Sequence, residues 1–231
     1  MWTILYMIAP LLGVALSISW YRSKYYKSKY YKITELKFLK VVLNKGNYGE
    51  YSITKYLEKM GLGDRLLVNM YVPKDDGTFT EVDVAFIHNT GIYVLESKNY
   101  GGTIYGDHKR KNWIQYMGGN KFTFYSPTRQ NYGHIKGLEE YLKDVSEDMF
   151  KSWIIFSERC NLKPIKNLPS NVKVIKRSEL RRELKYEIKQ TRDMWDDSVS
   201  EELYNKLIPL CKVSEDVKKE HIENVKSKMK Q

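Results

Sequence analysis

Cysteine is scarce in this sequence. Cys160 and Cys211 are the two in 231 residues, and no CxxC pair or His-rich spacing accompanies them. That argues against a structural zinc site, and so low a count fits a reducing compartment. Internal repeats are absent, as are long Gly/Pro/Ser linkers, which leaves one globular domain with a sizeable core as the simplest organisation. Acidic residues are outnumbered: 28 Asp and Glu stand against 39 Lys and Arg, for a net charge of +11. A balance this basic favours an anionic partner, either nucleic acid or a lipid surface. Charge of either sign is missing from Trp2 to Trp20.

That uncharged run is just long enough to cross roughly 30 Å of hydrocarbon as a helix. Trp2 and Trp20 fall where interfacial aromatics belong, Pro10 is tolerable in a membrane helix, and Arg22, Lys24, Lys27, Lys29 and Lys32 follow the span. A cleaved signal peptide would want a charge before the run and a small-x-small site after it; the first is absent and the second poor. Residues 1–20 are therefore expected to be a single-pass anchor in the cell membrane, with the rest of the chain in the cytoplasm by the positive-inside rule. Residues 21–32, "YRSKYYKSKYYK", suit anionic lipid headgroups, within a basic and aromatic juxtamembrane segment spanning 21–40. Phosphate pairing and stacking on nucleic acid is the competing use of that composition.

What is present is abundant aromatic side chain, 13% including 19 tyrosines, and 42% hydrophobic residues. Residues 33–44 read as helical. Asn47 is a candidate N-cap, with Glu50 three residues on as in a capping box, opening a second helix that "GLG" ends. "RLLVNMYV", "EVDVAFI" and "IYVLESK" read as consecutive strands with turns between them, and "TIYG", "NWIQYM" and "NKFTFYS" as short strands. Ser126-Pro127 starts another helix running to about residue 145. "WIIF" and "NVKVIK" are further strands, charge-rich helices cover 178–190 and 200–211, and residues 212–231 form a marginal helix or a disordered tail. The order predicts an α/β (α+β) domain over 41–211 with a small central mixed sheet flanked by helices, plus the N-terminal transmembrane helix.

The hairpin of "EVDVAFI" and "IYVLESK" carries the chemistry. A loop at Asn89-Thr90, or from His88 to Gly91, sets Asp83 opposite Glu96. A loop at Thr90-Gly91 sets it opposite Lys98. In either register Asp83 shares a face with Glu96 and Lys98, because strand side chains have period two. Carboxylates that close on apolar strands repel one another and lose hydration, so a cation must join them or one must become neutral. Lys98 alone can serve, or Mg²⁺ (or Mn²⁺), which takes carboxylates, waters and phosphate oxygens. A plain Glu96–Lys98 salt bridge with Asp83 wet at the rim is the competing reading.

"GNYGE", "TEVDVAFIHNTGIYVLESKNYGGTIYG", Trp113 and "SPTRQ" occur in that order. Over roughly residues 40–145 the chain resembles the nuclease-related domain (NERD) family, and through it the restriction-endonuclease-like PD-(D/E)xK nucleases. The resemblance implies a restriction-endonuclease-like core. Its acidic helix position falls on Glu50, the metal-binding aspartate on Asp83, the (D/E)xK pair on Glu96 and Lys98, and the helix glutamine on Gln130. The "PD" of the broader superfamily reads Val82-Asp83 here. It implies a metal-dependent nuclease acting on DNA, or RNA, with Asp83, Glu96 and Glu50 as metal ligands. The alternative is a non-catalytic nucleic-acid-binding or scaffolding protein at the membrane. Glu50 as a mere capping-box residue, Gln130 as a helix-surface residue and Gly101-Gly102 as a plain turn remain open. His134, one turn after Gln130, could face the same site, with an ordinary polar surface histidine the favoured reading. Lys109 to Lys111 suit phosphate contact, and Arg177 to Arg182 a solvated charged face.

Overall fold

The computed structural model describes residues 2–229; residues 1, 230 and 231, and the side chains of residues 2–9, 228 and 229, lie outside the described residues. Helix α1 (Trp2–Tyr26) leads into α2 (Lys29–Thr34), α3 (Phe38–Leu43) and α4 (Lys45–Lys59). Strands β1 (Leu66–Pro73), β2 (Phe79–His88) and β3 (Gly91–Lys98) follow, then β4 (Gly102–Tyr105), β5 (Asn112–Met117) and β6 (Asn120–Tyr125). Helix α5 (Pro127–Leu142) precedes β7 (Phe150–Phe156), β8 (Cys160–Leu162) and β9 (Val172–Lys176). The chain then forms α6 (Leu180–Gln190), α7 (Asp197–Leu207) and α8 (Glu215–Met229).

The expected mixed α/β architecture is present, with two sheets rather than one. The larger orders its strands β1-β2-β3-β7-β9 and the smaller β6-β5-β4-β8. In the larger, β1, β2 and β3 are antiparallel, while β3, β7 and β9 run parallel. Strand β3 sits at the centre and is buried from Gly91 to Glu96, as an apolar run covered on both faces must be. Helix α5 begins at the Ser126 cap, whose hydroxyl accepts from the Arg129 amide, with Pro127 in the first turn.

The amino-terminal expectations are corrected. Among the described residues no helix is long and apolar enough to cross a membrane. This overturns the transmembrane anchor and the cell-membrane localisation. The uncharged run does not stand apart. Helix α1 continues beyond Trp20 through Arg22 and Lys24, and its last turn belongs to the globular body, where Tyr25 is buried and its hydroxyl donates to the Leu36 carbonyl at 2.6 Å. The side chain of Trp2, expected at a membrane interface, lies outside the described residues. Lipid contact through residues 21–32 is likewise unsupported, since Tyr25 and Tyr30 belong to the core.

The single helix expected over 33–44 is broken into α2 and α3 at Glu35, which takes a left-handed conformation with φ 54°. The chain from 212 onward is helical from Glu215, and His221 Nδ1 contacts the Phe79 carbonyl at 3.0 Å, docking α8 against β2.

Candidate active site

The β2–β3 hairpin takes the register in which His88 faces Gly91 and Val84 faces Leu95, so its loop is Asn89-Thr90. Asp83 is the next residue along β2, and the ladder to β3 stops before it. On the other side, β1 pairs with β2 at Val68–Val84 and Met70–Val82 but not at the intervening Asn69–Asp83 position. Asn69 has φ 49°, in the left-handed region that asparagine tolerates better than most residues. The sheet thus opens on both sides of Asp83. Its carboxylate closes the gap, Oδ2 accepting from the Ser97 amide at 2.8 Å and satisfying a donor the ladder leaves free.

Glu96 and Lys98 project from the same face of β3, two residues apart. Glu96 is 1% exposed. The Lys98 ammonium donates to its Oε1, and His134 Nε2 donates to its Oε2 at 3.1 Å. Lys98 Nζ also donates to Gln130 Oε1 at 3.0 Å. Gln130 and His134 lie one turn apart on α5, which brings both onto the end of β3. The expectation that His134 is a surface residue is corrected: it is buried, and its Nδ1 contacts the Thr80 hydroxyl at 2.6 Å. Because an ionised carboxylate only accepts, Nε2 carries the hydrogen shared with Glu96.

Glu50 arrives from α4. The residue capping that helix is Asn44, whose side chain accepts from the Asn47 amide, so Asn47 is helical and Glu50 has no capping role. Glu50 instead faces the core, where its Oε2 accepts from the Tyr30 hydroxyl at 2.9 Å. Gly49 permits the approach: a Cβ there would stand 2.5 Å from Ser97 Oγ and 3.3 Å from Asn99 Cβ. Gly102 also serves close packing. Its φ is +74°, and a Cβ would come within 2.2 Å of the Tyr116 carbonyl of β5.

Burial pushes the Glu50 carboxyl up to about 7 against the hydrogen bond from Tyr30, and the nearby Glu81 and Glu96 add to the shift. Burial, then Glu96 and Glu50, raise Asp83 well above the usual carboxylate range. Burial acts on Glu96 in the same sense, but Lys98 and His134 outweigh it and hold Glu96 low. Lys98 is disfavoured as a cation by burial, yet Glu96 and Asp83 raise it overall. Two carboxylates, Asp83 and Glu96, therefore act on one half-buried ammonium, and Glu50 adds a third acidic group nearby.

This excess of oxygen donors and negative charge suits a hard divalent cation. Among the described residues no three His, Cys, Asp or Glu side chains stand close enough to form a metal cage by themselves. One or two carboxylates completed by water and phosphate oxygens is the usual arrangement for Mg²⁺, and Asp83, Glu96 and Glu50 could supply them.

A shallow cleft beside Lys98 is lined by Gly49, Ser97, Asn99, Ser157 and Arg177. Arg177, read from the sequence as part of a solvated face, faces this cleft. Its nearest acidic partner, Glu158, is 4.0 Å away. No local signal marks it, because β9 is brought beside β7 only by the parallel sheet.

Residues 45–157 match the family model NERD, nuclease-related domain. The matched span contains Glu50, Asp83, Glu96, Lys98, Gln130 and His134, and ends at the close of β7 rather than near residue 145. Just under half of the chain, including the candidate site, is thus similar to a nuclease-related domain. An uncharacterized protein of Bacillus anthracis is 28% identical over 185 residues, covering 80% of this chain and 85% of that protein. No solved structure matches at a significant level. Tyr30 and Arg177 lie outside the matched span.

Proposed function

We propose that this protein is a metal-dependent nuclease that hydrolyses phosphodiester bonds of DNA or RNA. The observation carrying the proposal is the convergence of Asp83, Glu96 and Lys98 at the opening between β2 and β3, with Gln130 and His134 of α5 bonded into the same group. Asp83 and Glu96 would hold Mg²⁺ or Mn²⁺, with Glu50 as a further acidic group reaching it through water, and the metal would polarise the scissile phosphate and lower the pKa of a bound water. Glu96 and Asp83 favour the charged form of Lys98, so it would supply a positive charge beside the phosphate. Gln130 fixes the Lys98 ammonium, and His134 fixes the Glu96 carboxylate. Arg177, on the wall of the shallow cleft, offers a second cation to a phosphate approaching over its mouth. In the net reaction a water oxygen bonds to phosphorus, the bond to the leaving sugar oxygen breaks, and the water's proton is transferred in exchange for the one the leaving oxygen receives.

A binding role without turnover is the second reading. It is favoured by one observation: both Glu96 oxygens are already engaged, by Lys98 and His134.

The test is cleavage of DNA and RNA by the full chain with and without Mg²⁺ or Mn²⁺. Wild type should cut only with metal. Asp83→Asn, Glu96→Gln and Lys98→Met should each lose at least about 100-fold, the scale of removing one strong transition-state contact. Equal activity in all four proteins overturns the assignment. Metal-independent, salt-sensitive binding with no cutting selects the second reading.

A further inference from the structure

The smaller sheet turns its two faces to different surroundings. On the inner face Ile104 and Trp113 are buried, and Trp113 stacks on Phe156 with ring centroids 6.2 Å apart. On the other face the register sets Tyr105, Ile114 and Thr123 in one row and Thr103, Tyr116 and Lys121 in the next, with Tyr125 opposite Asn112. Tyr105, Tyr116 and Tyr125 are 46%, 43% and 45% exposed. The first two rings meet edge-on at 5.8 Å. Leaving three large rings in water on a well-paired sheet forgoes burial that would be favourable, so core packing does not explain them.

The charge in this stretch of the chain is almost all of one sign. Between residues 102 and 134 the one acidic side chain is Asp107, against Lys109, Arg110, Lys111, Lys121 and Arg129. Asp107 is occupied, accepting from Asn167 at 2.9 Å and from the Lys109 amide at 3.0 Å. Lys109, Lys111 and Lys121 are exposed. The sheet is also fixed to the candidate active site. Strand β4 begins shortly after Lys98, and Gln115 Nε2 donates to the Gly101 carbonyl at 2.7 Å.

We propose that this outer face is a stacking platform for the unpaired bases of single-stranded nucleic acid, with Lys121 on the face and Lys109 and Lys111 in the β4–β5 loop at its end holding the phosphates. Tyrosine rings offer flat π-surfaces that any base can cover, and interspersed cations follow the backbone. Duplex bases are already stacked on one another and cannot reach the rings. The inference deepens the nuclease reading by specifying the form of the substrate. Its binding component does not depend on turnover.

The experiment is fluorescence anisotropy of a labelled oligothymidylate with the full chain in chelator, so that cleavage cannot consume the probe. Stacking is worth about 1–3 kcal/mol per base, about 5- to 150-fold in affinity. Tyr105→Ala/Tyr116→Ala should weaken binding by at least that much while unfolding cooperatively, with only the small fall in melting temperature that loss of the edge-on pair brings. Tyr105→Phe/Tyr116→Phe should bind within about two-fold of wild type, because the ring face is kept. Wild-type affinity in the alanine variant overturns the proposal. So does an equal loss in the phenylalanine variant, which would assign the contact to the hydroxyls. So too does loss of phosphatidylserine-vesicle binding with oligonucleotide binding intact, which would assign the face to lipid. If the alanine variant loses binding but wild type never cuts with metal, the platform stands and the nuclease reading fails. Cutting of single strands that is insensitive to both tyrosines leaves the nuclease reading and removes the platform.

Discussion

The Tyr30 hydroxyl donates to Glu50 Oε2 at 2.9 Å, joining a tyrosine outside the nuclease-related match to a carboxylate inside it. Tyr30 is fully buried, and α2 is fastened to α4 by a second bond, from the Lys29 amide to Glu58 at 2.7 Å. The amino-terminal helices are thus part of the wall of the candidate site. Tyr30→Phe removes the donor that favours ionised Glu50. Its carboxyl should move above about 7, and the pH at which metal-dependent activity is half-maximal should rise with it. The cost in stability should be about 1 kcal/mol, the usual net worth of one hydrogen bond. A pH–rate profile of the variant checks the first effect and urea unfolding the second.

Stability should fall as pH rises through the weakly acidic range. Glu50 is raised from its ordinary 4.5 to about 7, and Asp83 is raised as well. Between those values the folded chain keeps a proton that the unfolded chain has released. Glu50 therefore weakens folding from about pH 4.5 to about pH 7, and Asp83 acts in the same sense. For Glu50 the effect is on the order of 3 kcal/mol at about 1.4 kcal/mol per pH unit. His88 and His108, held below the usual imidazole range by burial, oppose this trend. Comparison with Glu50→Gln isolates it: the variant should gain on wild type between pH 5 and pH 8 in urea unfolding.

Metal uptake should release protons near neutrality, because ligands must be ionised to bind. Calorimetry with Mn²⁺ in buffers of different ionisation enthalpy should detect this below pH 7 and lose it at higher pH. Asp83→Asn should bind too weakly to measure.

His134→Ala should reduce cleavage about 10- to 100-fold, the scale for a residue that orients a metal-binding carboxylate. Removing its donor also lets the Glu96 carboxyl rise. The loss should therefore be larger at pH 6 than at pH 8, and a pH–rate comparison checks it. His134→Gln, which keeps a donor, should recover part of the activity.

Gly49→Ala should cost about 1–2 kcal/mol in thermal unfolding by driving α4 off the end of β3, the usual penalty of overpacking. Gly49→Ala/Ser97→Ala removes the nearest obstructing atom and should restore part of it, whereas a purely local helix-propensity effect would be unchanged by the second substitution.

The hairpin was legible because its signals are local. Alternation fixes which residues share a face, while the choice between the Asn89-Thr90 and Thr90-Gly91 loops was made only by the folded hairpin, which takes the first. Ser126-Pro127 likewise announced α5. Glu50 was found by family resemblance, but its surroundings were misread, since Asn44 and Asn47 are equally good caps in text and only the packed helix start distinguishes them. His134 looked like a surface residue because burial of a polar side chain depends on partners distant in sequence, here Thr80 and Glu96. The uncharged amino-terminal run was read as a membrane span from composition alone. The docking of Tyr25 and Tyr30 in the core involves residues far along the chain.

By itself the sequence determined the strand and helix periods, the basic balance, and the placement of Asp83, Glu96 and Lys98 on one face of a hairpin. These follow from side-chain alternation and turn chemistry within a few residues. Tertiary structure alone decided that the sheet opens on both sides of Asp83, that Tyr30 and His134 hold Glu50 and Glu96, and that Arg177 faces the cleft. Those contacts join segments up to a hundred residues or so apart, and their geometry is set by how helices and sheets pack, which no local pattern encodes.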